Sequence, residues 1–170
     1  LIVELAALLH DIADWKYTGD DYSGGIATCK WLENQGCDEK VIEQVVYIVD
    51  NIGFKKELSG STNKQIPIEL AVVQDADRLD AIGAVGIARC LTFGGAKNRE
   101  LYNPIVPFSS EVSVESYSKQ KSPTINHFYE KLLKLKDMMK TDAGKAMAEK
   151  RHEVMLHFLD NFMEECYLKN

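Results

Sequence analysis

Residues 68 to 90, IELAVVQDADRLDAIGAVGIARC, are too apolar to lie at a surface and too acidic to be buried as they stand. Pro67 suits the first turn of a helix. Leu70, Val73, Ala81, Ala84 and Ala88 recur at helical spacing, which predicts one long buried helix from Ile68 to about Phe93. Asp77 shares a face with those residues, Asp75 falls with Val72, Leu79 and Ile82, and Asp80 sits over Val73, Ala84 and Ile87. A carboxylate so placed must be neutralised, paired or bound to a cation. Any fold for this chain therefore has to find partners for these acids.

The rest of the chain also reads as helix. Leu1 to about Asp14 is apolar on nearly every face, as expected of a buried helix. SGGIATCKWLEN starts at a plausible cap, Ser23, and carries Ile26, Ala27, Trp31 and Leu32 on one side. CDEKVIEQVVYIVDNI offers Asp38 as N-cap, followed by Val41, Ile42, Val45, Ile48, Val49 and Ile52 at helical spacing. GFKKELSGSTNKQ reads as a loop, and residues 94 to 123, with their glycines, prolines and serines, as a long second one. Two amphipathic helices near 124–139 and 143–167 close the chain. No stretch alternates apolar and polar residues for long. The expectation is an all-α fold in one domain, residues 1–170.

Composition narrows the function. Charged residues make up 27% of the 170 and hydrophobic ones 45%, as in soluble globular proteins. A net charge of −6 argues against a nucleic-acid polymer or an anionic membrane as partner. Cys29, Cys37, Cys90 and Cys166 form no C-x-x-C pair, which suits free thiols in a reducing, cytoplasmic setting. The run Leu1–Leu9 is far short of the ~20 apolar residues a membrane span takes. The first residue is Leu1, and the expectation is that the chain begins inside a helix with upstream sequence absent. A homo-oligomer is compatible with the sequence, and nothing in it fixes one.

A second anomaly is LLHDIADWK, residues 8 to 16, where charge follows directly on core leucines. Neighbours on a helix diverge by about 100°, so His10 and Asp11 reach one ion only if it lies off the edge between them. An imidazole nitrogen with carboxylate oxygens makes a mixed donor set suited to Mn²⁺, Fe²⁺, Zn²⁺ or Mg²⁺ and not to copper(I). Small residues around Asp77 (Ala76, Ala81, Ala84) would let two helices approach and share that ion. Taken singly, His10–Asp11 reads first as a local hydrogen bond, and Asp75 or Asp80 equally as a partner of Arg78 or a cap. The combination is more specific than its parts.

Those two motifs resemble the HD-domain metal-dependent phosphohydrolase superfamily, whose pattern is H…HD…D on a helical bundle. His10–Asp11 matches the doublet, and Asp77, within ADRLDA, matches the final aspartate, with Asp75 as the alternative. ELAALLHDIADWKY, NIGFKK, DADRLDAIGAVGIAR and INHFYEKLLKLKD look like stretches of small, stand-alone bacterial-type members with nucleotide pyrophosphohydrolase activity. The pattern's first histidine would lie upstream of His10, and His127, His152 and His157 all follow it. The resemblance thus implies either an N-terminally truncated HD domain missing its first helix or the loss of one ligand.

What the resemblance implies about chemistry can be stated residue by residue. His10, Asp11 and Asp77 would hold a divalent ion, Mn²⁺ first, with Mg²⁺, Fe²⁺, Zn²⁺ or Ni²⁺ as alternatives. Asp14 would orient the attacking water or act as general base, unless it caps a turn. Lys16 would offset phosphate charge, with Lys55, Lys56, Arg78 and His127 as substrate contacts. Trp15, Tyr17 and Phe54 would stack on a base or pack in the core. The function expected is hydrolysis of a nucleoside triphosphate by metal-activated water. The alternatives are a non-catalytic HD regulatory module that binds metal or nucleotide, and a helical interaction domain without a site.

Overall fold

The computed structural model describes residues 1–12, 24–53, 57, 66–108 and 122–167. Among the described residues the regular structure is entirely helical, as the sequence predicts. In chain order the helices are α1 (Ile2–Leu9), α2 (Gly24–Asn34), α3 (Glu39–Asn51), α4 (Ile68–Asp80), α5 (Gly83–Ala96) and α6 (Asn126–Glu130). A 3₁₀ helix over Leu132–Met138 and the long α7 (Asp142–Cys166) follow. Contacts divide the chain into two compact units, Leu1–Gln74 and Asp75–Asn170, with the boundary inside α4.

In the first unit Ala6 and Leu9 of α1, Leu32 of α2 and Val45, Ile48 and Val49 of α3 form one core with Ile52, Leu70 and Val73. Asp38 caps α3 as its sequence suggests, accepting from Lys40 N at 3.0 Å. At the other end of α3, Gln74 Nε2 donates to the terminal Asn51 carbonyl at 2.9 Å.

Two expectations for this unit are corrected. Only Ala6 and Leu9 of α1 are buried, while Leu8 is 80% exposed. The helix packs along one side against α3, and no described residue covers the Leu8 face. In α2 the buried face is Gly25, Thr28 and Leu32, and Ile26 and Trp31 are exposed. Gly25 sets that choice: the Asp50 carboxylate lies where a Cβ would stand, so the helix approaches through its smallest residue.

The second unit corrects the long helix. Instead of one helix from 68 to 93, α4 and α5 meet at a bend of 65°. Ile82 is extended and Gly83 takes φ +77°, a conformation that glycine adopts without strain. Gly86 then sits against the Ala81 carbonyl with no room for a side chain, and Arg89 pairs with Asp80 across the bend. Helix α5 continues to Ala96, so the loop expected from 94 starts later, and its residues 109–121 lie outside the described set.

The amphipathic helix expected over 124–139 is likewise two pieces, α6 and the 3₁₀ helix. Lys131, at φ −137°, leaves helical geometry between them. Helix α7 runs from 142 with Thr141 as N-cap, close to the expected start. Buried side chains of this unit include Ile82, Ile125, Phe128, Leu135, Met155 and Leu159.

Candidate metal centre

Helix α1 ends at Leu9, and His10 and Asp11 occupy the turn that follows. The last carbonyls of a helix lack intrahelical partners, and His10 supplies one: its Nδ1 lies 2.8 Å from Ala7 O. That bond places a hydrogen on Nδ1 and turns Nε2 the other way, towards Asp11 Oδ2 at 3.2 Å. At this distance the imidazole nitrogen and the carboxylate oxygen are close enough to share one cation. Ligands about 2.1 Å from an ion stand about 3.0 Å apart along an octahedral edge and about 3.4 Å along a tetrahedral one. The spacing of 3.2 Å falls between these, so the pair fits one divalent ion of mixed N/O preference. It does so from a turn, not from the adjacent helical positions the sequence suggested. Gly24 packs close by, its missing Cβ leaving clearance to His10 O and Val49.

The three acids of the 75–80 segment meet three different fates. Asp75 is buried, 3% exposed, and accepts from Lys140 N at 2.8 Å, Thr141 N at 2.8 Å and Thr141 Oγ1 at 2.7 Å. Asp80 is exposed and pairs with Arg89. Asp77 is exposed on α4, a correction to its expected burial. The break after Asp80 explains this, because Ala81, Ala84 and Ala88 do not continue the Asp77 face on one straight helix. Of the two alternatives for the final aspartate, Asp75 has its oxygens committed to the turn before α7.

The other predicted site residues are placed as follows. Arg78 is buried and donates from Nη1 to Met138 O at 2.5 Å, so part of its guanidinium serves the fold. His127, in α6, is partly buried, and burial first, then the charges of Lys131 and Arg99, pushes its imidazole down to about 4. It is therefore a neutral ring at neutral pH. Asp14, Lys16, Lys55 and Lys56 lie outside the described residues, as do Trp15, Tyr17 and Phe54. Among the described residues no group of three or more His, Cys, Asp or Glu is arranged to hold a metal ion.

A cavity of about 230 Å³ in the first unit is lined by Ile2, Glu43, Gln44, Tyr47, Ile48, Pro67 and Glu69, none of them predicted site residues. All four cysteines are free of disulfides. Burial raises the Cys90 thiol to about 11, Arg99 opposing, which suits a packing role. No single helix among the described residues is long and apolar enough to cross a membrane.

Sequence reasoning did not find the acceptors that organise these groups, Ala7 O for His10 and Met138 O for Arg78. Backbone carbonyls carry no residue-type signal, so only the fold could show them.

These features define an all-α protein that presents a histidine–aspartate pair at a helix end. No family model matches the chain. It is 38% identical over 159 residues to the uncharacterized protein YpgQ of Bacillus subtilis strain 168, covering 93% of this chain and 69% of that one. The crystal structure of an HD-superfamily hydrolase from Bacillus thuringiensis aligns at a TM-score of 0.69 with 42% identity, covering 96% of this chain and 72% of that one. The structure of Bacillus subtilis YpgQ in complex with ADP aligns at 0.71 with 36% identity, covering 98% and 76%. The chain belongs to the HD superfamily of hydrolases. Hydrolases of this superfamily bind divalent metals.

Proposed function

We propose that this chain hydrolyses a phosphoanhydride of a nucleotide, most simply a nucleoside triphosphate, with His10, Asp11 and Asp77 as ligands of a divalent ion, Mn²⁺ first. The observation that carries the proposal is the His10–Asp11 pair, with Nδ1 held by Ala7 O and Nε2 left 3.2 Å from Asp11 Oδ2. A ring nitrogen fixed by a backbone carbonyl is the usual way a histidine ligand is oriented. When bound, the ion would supply a water acidic enough to attack at neutral pH and would polarise a phosphoryl oxygen.

The remaining work falls to the chain's own side chains. Asp14, three residues beyond Asp11, takes the proton of the attacking water. Lys16, Lys55 and Lys56 offset the charge of the phosphates, whose transfer depends mainly on positioning and electrostatics. Arg78 enters with one N–H already committed to Met138 O. His127, being neutral, contributes a hydrogen bond and not a charge. The nucleotide class draws support from the ADP complex of the YpgQ relative.

The test is calorimetric titration with Mn²⁺ followed by a phosphate- and pyrophosphate-release assay on nucleoside triphosphates. The expected outcome is one ion per chain and Mn²⁺-dependent turnover, both lost in His10→Ala. Metal binding and turnover that survive His10→Ala would overturn the assignment of the doublet. Metal and nucleotide binding without turnover would make the protein a regulatory module instead.

A further inference from the structure

Asp75 and Asp77 are two positions apart on α4, and their surroundings are opposite: Asp75 is buried and Asp77 exposed. Two helical positions are about 200° of rotation, so a clamp on the Asp75 side leaves Asp77 on the far side.

The Asp75 clamp is complete. Its Oδ1 accepts from Lys140 N, and its Oδ2 from both Thr141 N and Thr141 Oγ1. The Thr141 hydroxyl accepts in turn from Gly144 N at 2.9 Å, which directs its own proton towards Asp75. The carboxylate also sits at the N-terminus of the 25-residue α7, where the helix dipole favours negative charge. Gly144 completes the arrangement, since a Cβ there would run into the Asp75 carboxylate.

Neighbouring positions are tied down too. Arg78 bonds to Met138 O, Arg151 to Leu79 O and Arg89 to Asp80. The end of α4 is thus held at residues 75, 78, 79 and 80, on either side of Asp77.

We propose that Asp75 is a positioning residue: by fastening α4 to the Lys140–Thr141 turn it fixes where Asp77 stands and so sets the affinity for the metal. The inference rests on the reading of Asp77 as a ligand. The lever arm explains why the clamp matters. A carboxylate carried about 5–6 Å from the helix axis moves about 1 Å for each 10° of helix rotation. Metal–ligand distances tolerate only about 0.2 Å. A helix end secured by one face of packing would not hold that tolerance, whereas hydrogen bonds to both carboxylate oxygens would.

The experiment measures Mn²⁺ affinity by calorimetry, and folding by circular dichroism and thermal melting, for the wild type and four variants. Asp75→Asn and Thr141→Val each weaken the clamp, Thr141→Ser restores its hydroxyl, and Asp77→Ala removes the ligand itself. The expected result is that Asp75→Asn and Thr141→Val remain folded but bind Mn²⁺ about tenfold more weakly. Thr141→Ser should match the wild type, and Asp77→Ala should lose binding. A role confined to stability would lower the melting temperature and leave the affinity of the folded protein unchanged.

Wild-type affinity in folded Asp75→Asn and Thr141→Val, with binding lost in Asp77→Ala, overturns the inference and leaves the ligand assignment standing. Should Asp75→Asn fail to fold, Thr141→Val with its serine rescue decides alone. Undiminished binding in Asp77→Ala, or none in the wild type, overturns the ligand reading and this inference with it.

Discussion

The His10–Asp11 turn and the Asp75–Asp80 segment carry the residues proposed to hold one ion, yet they are built on opposite principles. The turn is exposed: the His10 ring bonds to Ala7 O through Nδ1, and the Asp11 side chain is 69% exposed. The segment is heavily held, through a buried carboxylate with three donors and a buried guanidinium on a backbone carbonyl. A histidine at a helix end needs little support, because one bond to Nδ1 fixes both its tautomer and its direction. An aspartate on a helix face is carried by its helix, so its position follows how that helix is anchored. Unpaired buried polar groups are costly, which makes the anchor the more fragile of the two under mutation.

The largest effect should therefore come from the anchor. Asp75→Ala leaves Lys140 N and Thr141 N without their acceptor and should cost about 3–5 kcal/mol, read as a lower urea midpoint. A loss under about 1 kcal/mol would mean that water replaces the carboxylate and that the contrast between the two regions is false.

Only part of this contrast was legible in the sequence. The HD doublet, the Asp38 cap and the 3.6-residue period of α3 and α7 depend on near neighbours, and sequence shows near neighbours well. The identity of the buried acid did not show, because on an ideal helix Asp75 and Asp77 both lie among apolar residues. What separates them is the turn at Lys140–Thr141, some 65 residues away. The break at Gly83 was missed because a glycine within an alanine-rich run is compatible with helix, and only its φ of +77° shows otherwise. The split of 124–139 at Lys131 carries no glycine or proline to announce it. In the candidate site the residue types could be read, but the carbonyls that orient His10 and Arg78 could not.

A second prediction concerns pH, and it rests on a histidine of the Asp75–Asn170 unit. His127 falls from 6.5 in the unfolded chain to about 4 when folded, because burial and two nearby cations disfavour its charged form. Between those values the unfolded chain binds the proton first, so stability is full above about pH 6.5 and falls as the pH drops towards 4. The difference amounts to about 3 kcal/mol. Urea midpoints measured at pH 7 and pH 4 should separate by more in the wild type than in His127→Asn. An equal separation would show that this histidine does not carry the acid sensitivity.

Removing the cap of α3 sharpens the comparison from the other side. Asp38→Ala gives up the bond to Lys40 N and should cost about 1 kcal/mol in the same urea measurement. A cost near that of Asp75→Ala would mean that an exposed cap is worth as much as a buried clamp.

The smallest effect on stability belongs to a residue proposed to hold the metal directly. Asp11→Asn keeps the shape of an exposed side chain and removes its charge, so the urea midpoint should change by no more than about 0.5 kcal/mol. Mn²⁺ binding should nevertheless fall sharply, because the amide cannot supply an anionic oxygen opposite His10 Nε2. Asp75→Asn shows the reverse balance, with a clear loss of stability and only a partial loss of affinity. The pair of variants thus separates a ligand from its support using two readouts. If Asp11→Asn proves strongly destabilising, its contact with His10 is chiefly a structural ion pair, and the exposed turn is no more a metal site than the helix before it.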